Sequence, residues 1–407
     1  MRILQLETLR PPQQPNILFV TLTTEDGLVG LGEAFFGAQA VEAYLHETAA
    51  PLLLKMSDAT PERASSLLRP YVGYQGAGAE VRGNAAIDLA LWDLLGQEAG
   101  LPLVKLFGGA MRDSIGVYNT CAGSNYVRSH SGQSSDNWGL PLGEADIERY
   151  DDLHAFLTRP AQLARELLDE GVTGMKIWPF DLAGEASGGN DISGTELAAG
   201  LKIVESIRGE VGMDMDLMIE LHGQWNRPAA EKIIRALEPY NPYWVEDPMR
   251  PDAFDAFTHL ARESAVPIAV GETAVGRRGV LPLLSAGAVD ILTLDLQWSG
   301  GLTEARKIAS LADTFGIPVA PHDCTGPATL AACIHLSCSQ PNGLIQETVR
   351  AFLRTWYTEL VTGLPEVSDG RVGFLQTPGH GVKLQDAMWT DPRVHRVMSS
   401  SRETVAS

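Results

Sequence analysis

Cysteine is scarce. The 407 residues include only four, Cys121, Cys324, Cys333 and Cys338, and none forms a CxxC pair. A chain of this length can build its core without covalent staples, so no disulfide framework is expected; the thiols are read as reduced and the protein as cytoplasmic. Cys333 and Cys338 fall in one apolar helical stretch and are read as core. Long apolar runs are also missing, so no membrane span is expected. The opening stretch, MRILQLETLRPPQQP, lacks the apolar core of a secretion signal. Positive charge is in deficit, with 31 Lys and Arg against 51 Asp and Glu and a net charge of −20. Such a surface repels nucleic acid and anionic membranes, and no basic stripe is present to overcome that. The acidity is spread along the chain, which points to solubility rather than to a substrate.

What is present is the composition of an ordinary globular protein, 44% apolar and 20% charged. The length suffices for a (β/α)8 barrel with a smaller second domain. Residues 1–50 read as strands followed by a helix: Ile17–Thr24, a turn at Glu25-Asp26-Gly27, a second strand over 28–31, and a helix over 40–54. Residues 85–99 place Ile87, Leu91, Leu94 and Leu95 at helical spacing, and Gly100 and Pro102 end that helix. From about Ser114 the pattern changes. A strand at 115–119 precedes a Gly-, Ser- and Asn-rich loop at 122–145, then a helix at 160–170 and a strand at Gly174–Ile177. Strands at 217–221, 243–245, 268–270, 290–294, 317–320 and 344–345 then alternate with helices such as 228–238, 252–264 and 302–315. The expected organisation is an α/β fold: an α+β capping domain (1–113), a TIM barrel (114–365), and a tail (366–407) that packs back on the capping domain.

Six acid or imidazole side chains close the short apolar runs of this repeat. They are Glu220, Glu246, Glu272, Asp295, His322 and Glu347, spaced 23 to 27 residues apart. That step is one strand, one helix and two short loops. In a parallel barrel the strand C-termini share one rim, and that rim carries the chemistry. Glu220, Glu246 and Glu272 would meet there as an all-oxygen site, which suits Mg²⁺, with Mn²⁺ also compatible, better than zinc. A single strand-end Glu is usually a solvated or salt-bridged acid; three in register are costly unless a cation neutralises them. Asp295 beside His322 would fix the imidazole tautomer and raise its basicity, giving a base near neutral pH. Lys176, on the preceding strand, could neutralise a substrate carboxylate or a developing enolate. His222 lies two residues after Glu220; in a strand that spacing returns to the same face, and a proton donor or a loop-bonded structural His fit equally. Glu347 could hydrogen-bond a substrate carboxylate or form an ordinary salt bridge. Phe35, Phe36, Tyr71, Tyr74, Trp178 and Trp298 are candidate pocket walls, although bulky aromatics are more often core.

Taken together these residues resemble the enolase superfamily, mandelate racemase subgroup. The resemblance runs through DGLVGLGEA (26–34), AAIDLALWDLLGQEAGLPLVKLFGG (85–109), MK (175–176), ELH (220–222), VEDP (245–248), GET (271–273), LDLQWSGG (294–301), PHD (321–323) and QET (346–348). It implies Mg²⁺ on Glu220, Glu246 and Glu272, a His322 base oriented by Asp295, and Lys176 and Glu347 stabilising substrate carboxylate and enolate. It also implies symmetric homo-oligomers. Two departures from the racemases narrow the activity. Lys176-Ile177-Trp178 replaces their Lys-x-Lys, and Trp cannot act as the opposite-face base. His222 stands where acid-sugar dehydratases of the galactonate and mannonate type carry the acid that protonates the leaving hydroxyl. The expectation is a Mg²⁺-dependent dehydratase converting an aldonate or aldarate to a 2-keto-3-deoxy acid. Water exclusion is assigned to the segments 32–37 and 71–78. An epimerase or cycloisomerase using the same ene-diolate is the alternative enzyme, and a non-catalytic metal-binding homologue the alternative of another class.

Overall fold

In the computed structural model, residues 1–69, 76–143 and 147–401 are described. The N-terminal part is an antiparallel sheet. Strands β1 (Ile3–Arg10), β2 (Ile17–Thr24) and β3 (Val29–Phe35) follow in chain order, with Gly27 at φ 84° making the turn between β2 and β3. The helix Ala79–Ala99 crosses β3. It can do so closely because Gly32 has no side chain: a Cβ there would sit 2.0 Å from the Ala86 carbonyl oxygen. The helix begins earlier than its apolar periodicity suggested, because 79–84 carry Glu80, Arg82 and Asn84 rather than an apolar stripe.

The repeat forms a parallel barrel. Strands β4 (Ser114–Thr120), β5 (Gly174–Ile177), β6 (Asp216–Glu220), β7 (Trp244–Glu246), β8 (Ile268–Val270) and β9 (Ile291–Leu292) pair in that order. Beyond β9 the expected strand at 317–320 is reduced to single parallel bridges, Leu292 to Val319 and Val319 to Gly343, and a further bridge joins Asp295 to His322. Strand β10 (Gln346–Thr348) then pairs with β4 and completes the ring. Pro318 and Pro321 flank this weak position, and proline cannot donate to a ladder. The barrel interior below the rim is filled by Tyr118, Met218, Trp244, Ala269, Ile291 and Ala320. Helices lie outside, among them Pro160–Asp169, Arg227–Leu237, Phe254–Glu263, Leu302–Thr314 and Pro327–Ser339. Cys333 and Cys338 are buried in the last of these.

The tail returns to both parts. β11 (Val361–Thr362) pairs with β14 (Lys383–Leu384), while β12 (Val367–Ser368) and β13 (Arg371–Gly373) extend the barrel sheet beside β4. β15 (His395–Ser400) runs antiparallel to β1, giving the N-terminal sheet the order β15-β1-β2-β3. His380 bonds the Leu31 carbonyl at 2.8 Å, and its amide donates to Asp93 at 3.2 Å.

The seam between the N-terminal part and the barrel is held by two buried carboxylates. Helices Leu302–Thr314 and Pro327–Ser339 start at Gly301 and Gly326, which have no side chain with which to cap them. Asp88, from the long helix, accepts the Thr303 amide at 2.8 Å, and Glu33, from β3, accepts the Thr329 amide at 2.6 Å. Both carboxylates thus meet the positive end of a helix. A Cβ at Gly301 or Gly326 would lie 2.6 or 2.4 Å from the capping oxygen, so only glycine admits the contact.

Candidate active site

The parallel register sets the site. Residues at the ends of adjacent parallel strands stand side by side, and Glu220 pairs directly with Glu246 across β6 and β7. Glu272 follows β8 through Gly271, whose φ of 143° turns the chain at the rim. One carboxylate oxygen from each of Glu220, Glu246 and Glu272 lies within 4.8 Å of the others, and all three side chains are buried. Burial, with Glu220, Glu347 and Glu272 close by, pushes the Glu246 carboxyl up to about 7 despite Lys176. Its Oε1 is buried without a hydrogen-bond partner among the described residues. A dry cluster of hard oxygens that is short of positive charge fits a small divalent cation.

Lys176 projects from β5 into this cluster. Its Nζ lies 3.0 Å from Glu347, 3.1 Å from Glu246 and 3.4 Å from Glu220. Burial opposes its charge, but these carboxylates outweigh burial and hold the ammonium well above its ordinary value. Glu347, on β10, also accepts the Thr120 hydroxyl and, at 2.8 Å, the Asp323 amide. Burial alone would raise its carboxyl; Lys176 and His322 more than reverse that and lower it to about 2.

Two carboxylate-held imidazoles face the cluster. His322 Nδ1 is 2.9 Å from Asp295, and its Nε2 is 3.4 Å from Glu272. Asp295 is itself oriented by the Gln297 and Trp298 amides at 2.7 and 2.8 Å. His222 Nδ1 is 2.7 Å from Asp181, in the first turn of helix Asp181–Ser187. Burial disfavours the His222 cation, but Asp181 and Glu220 prevail and raise it to about 9. His222 follows β6 and His322 occupies the bridged position after β9. Three strands separate them in either direction round the ring: β7, β8 and β9 one way, β5, β4 and β10 the other.

The structure therefore gathers Lys176, Glu220, His222, Glu272, His322 and Glu347 around one inner pocket, with Trp178 in its wall. His222 reaches it differently from the strand argument. β6 ends at Glu220, and His222 sits in a turn at φ 50° rather than on the same strand face. Phe35 is a correction. As the last residue of β3 it points inward, is 1% exposed and packs in the core; Phe36, turned by φ 66°, lines the vestibule instead, with Trp298. Tyr71 and Tyr74 lie outside the described residues. The loop after β4 supplies a wall through Ser131, Gly132 and Gln133. Asn137 shapes it by accepting the Ser129 amide and donating to the His130 and Gly132 carbonyls. Sequence reading missed Asp181. Its available signal was an acid opening the helix that follows the Lys176 strand.

Comparison with known proteins gives two family matches. Residues 8–108 match the mandelate racemase/muconate lactonizing enzyme N-terminal domain, and residues 159–388 match the enolase C-terminal domain-like family. A D-galactonate dehydratase of Ralstonia nicotianae is 30% identical over 401 residues, covering 95% of this chain and 93% of that protein. One from Xanthomonas axonopodis pv. citri is 28% identical over 398 residues, with the same coverage. Among solved structures, an enolase of the mandelate racemase subgroup from Agrobacterium tumefaciens superposes with a TM-score of 0.87 at 40% identity, over 99% of this chain and 100% of that one.

Proposed function

Because the chain belongs to the mandelate racemase/muconate lactonizing enzyme family of the enolase superfamily, which implies a divalent metal, we propose that it is a hydro-lyase acting on a sugar acid with Mg²⁺ held by Glu220, Glu246 and Glu272. The observation that carries this reading is the pair of imidazoles, His222 on Asp181 and His322 on Asp295, set on opposite sides of the carboxylate cluster. The D-galactonate dehydratase names of the curated relatives support it. Mn²⁺ satisfies the same oxygens.

His322 Nε2 takes the proton from C2, and Asp295 steadies the imidazolium that results. A divalent cation held by Glu220, Glu246 and Glu272 would supply positive charge to stabilise the negative charge that develops on the substrate. Lys176 adds a second positive charge there, and Glu347 keeps Lys176 in place and hydrogen-bonds the protonated parts of the intermediate. His222, hydrogen-bonded to Asp181, gives a proton to the departing 3-hydroxyl; the C3–O bond breaks, water leaves, and the enol tautomerises to the 2-keto-3-deoxy acid. Trp178 packs on His222 at 5.7 Å and leaves the far face without a second amine base, which favours elimination over racemisation.

The test is a division of labour. With Mg²⁺ and deuterated water, His322→Asn is expected to lose C2 exchange, whereas His222→Asn keeps exchange and loses elimination. Equal loss of exchange in both variants overturns the assignment. Product lighter by one water separates the lyase from an epimerase or cycloisomerase, whose products keep the substrate's mass.

A further inference from the structure

Above the inner pocket lies a vestibule of about 900 Å³ whose wall is shared by both parts of the chain. Two of its arginines differ. Arg250 is exposed and turned to Asp252 at 3.1 Å, so its charge is solvated and already paired. Arg82, near the start of helix Ala79–Ala99, is half-buried, and its Nε is shielded from solvent with no hydrogen-bond partner among the described residues. Its guanidinium lies 5.7 Å from the centre of the Trp298 ring. The Trp298 Nε1 is likewise buried and unpartnered among the described residues. Trp298 in turn packs on His322, ring centres 5.1 Å apart. The Arg82 Nε and the Trp298 ring, without hydrogen-bond partners among the described residues, therefore stand beside the imidazole assigned to C2. Burial lowers the Arg82 guanidinium from its ordinary value, with Asp295 and Glu80 acting against that at longer range.

A substrate whose C1 end is held at Lys176 and the carboxylate triad, with C2 at His322, extends its remaining carbons along Trp298. The neutral hydroxymethyl end of an aldonate offers the Arg82 guanidinium no charged acceptor. A carboxylate would accept from the guanidinium fork, with the Trp298 ring as the wall beside it. Resting on the sugar-acid reading above, we propose that Arg82 and Trp298 form a subsite for a second, distal carboxylate, so that the preferred substrates are aldarates rather than aldonates. The curated relatives are named for a monocarboxylate, so the proposal sets this chain's preference apart from theirs.

The experiment uses aldarate and aldonate pairs of matched hydroxyl configuration, with Mg²⁺, on the full chain and on Arg82→Gln, Arg82→Lys and Trp298→Phe, each checked for an unchanged melting temperature. The full chain is expected to favour the aldarate by about tenfold or more in kcat/KM. Arg82→Gln loses that preference through KM, its loss on the aldarate exceeding its loss on the aldonate by about tenfold, Arg82→Lys recovers part of it, and Trp298→Phe loses a few-fold. Preference for the aldonate, or an equal loss on both acids in Arg82→Gln, overturns the subsite. If neither class loses water, the lyase reading fails, and calorimetric titration of the same pairs decides the subsite by itself. Tighter aldarate binding that Arg82→Gln abolishes supports it, and equal binding of the pair overturns it.

Discussion

The rim and the seam both bury carboxylates, and they stabilise them in opposite ways. At the seam, Asp88 and Glu33 stand apart and each receives backbone N–H groups at a helix start. At the rim, Glu220, Glu246 and Glu272 are crowded together; Glu220 and Glu246 share one ammonium, from Lys176, with Glu347, while Glu272 lies 3.4 Å from His322. At Asp88 both oxygens are bonded and at Glu33 one is, Oε2 having no partner among the described residues; standing singly, these carboxylates serve the fold. The rim carboxylates are frustrated by one another, and that frustration is what a cation relieves. Burial of an acid is therefore uninformative by itself; the donors that surround it separate a strut from a site.

The comparison can be broken most strongly at Glu246. Glu246→Gln removes a ligand and one of the crowded charges. It is expected to lower turnover by on the order of a thousandfold, with no loss of melting temperature in chelator. A variant that keeps its activity would remove Glu246 from the metal site. Chelation comes next. Stripping divalent metal should lower the unfolding free energy of the native sequence, by about 2.7 kcal/mol if the metal had been held at a hundred times its Kd, and with it the melting temperature. It should leave Glu246→Gln nearly unmoved; equal shifts in both would place the stabilising ion elsewhere.

The third prediction concerns pH and the seam. Burial raises the Glu33 carboxyl from 4.5 to about 7 and the Asp88 carboxyl from 3.8 to about 7. Between those values the folded chain binds protons that the unfolded chain has released. The stability these groups contribute is whole below their unfolded values and is lost as pH rises through about 7. Each group sets a slope of at most about 1.4 kcal/mol per pH unit. Denaturant melts of Glu33→Gln and Asp88→Asn should show a shallower fall between about pH 5 and 8, and parallel curves would refute the assignment. The smallest effect is that of Asp88→Ala, which removes a cap. It should cost about 1 kcal/mol in a urea melt while leaving kcat in place.

The legibility of these two regions in the sequence differs for a physical reason. The rim residues recur because the strand–helix unit recurs, so a fixed step along the chain becomes adjacency on a ring. That same step located Asp295, His322 and Glu347 at the mouth, and Lys176 was found on the strand before them. The seam has no such step: Asp88 meets a helix start 215 residues away, and Glu33 one 296 residues away. Asp88 reads along the chain as a stray acid on an apolar helix. Arg82 and Asp181 were hidden for the same reason, their partners being set by tertiary packing. Phe35 was misplaced because one residue of strand phase decides between core and vestibule, and the strand ends between Phe35 and Phe36. The strand at 317–320 was overstated because its apolar residues are bracketed by prolines.

The pairing of β15 with β1 has a consequence for biosynthesis. As the chain emerges from the ribosome, β1 can zip to β2 at once, but its other flank stays bare until His395–Ser400 is made. Throughout that interval a nascent molecule offers a ready template to its neighbours on the polysome. Shielding that flank during translation, by a chaperone or by slow initiation, should govern the yield of soluble protein more than any change within the barrel.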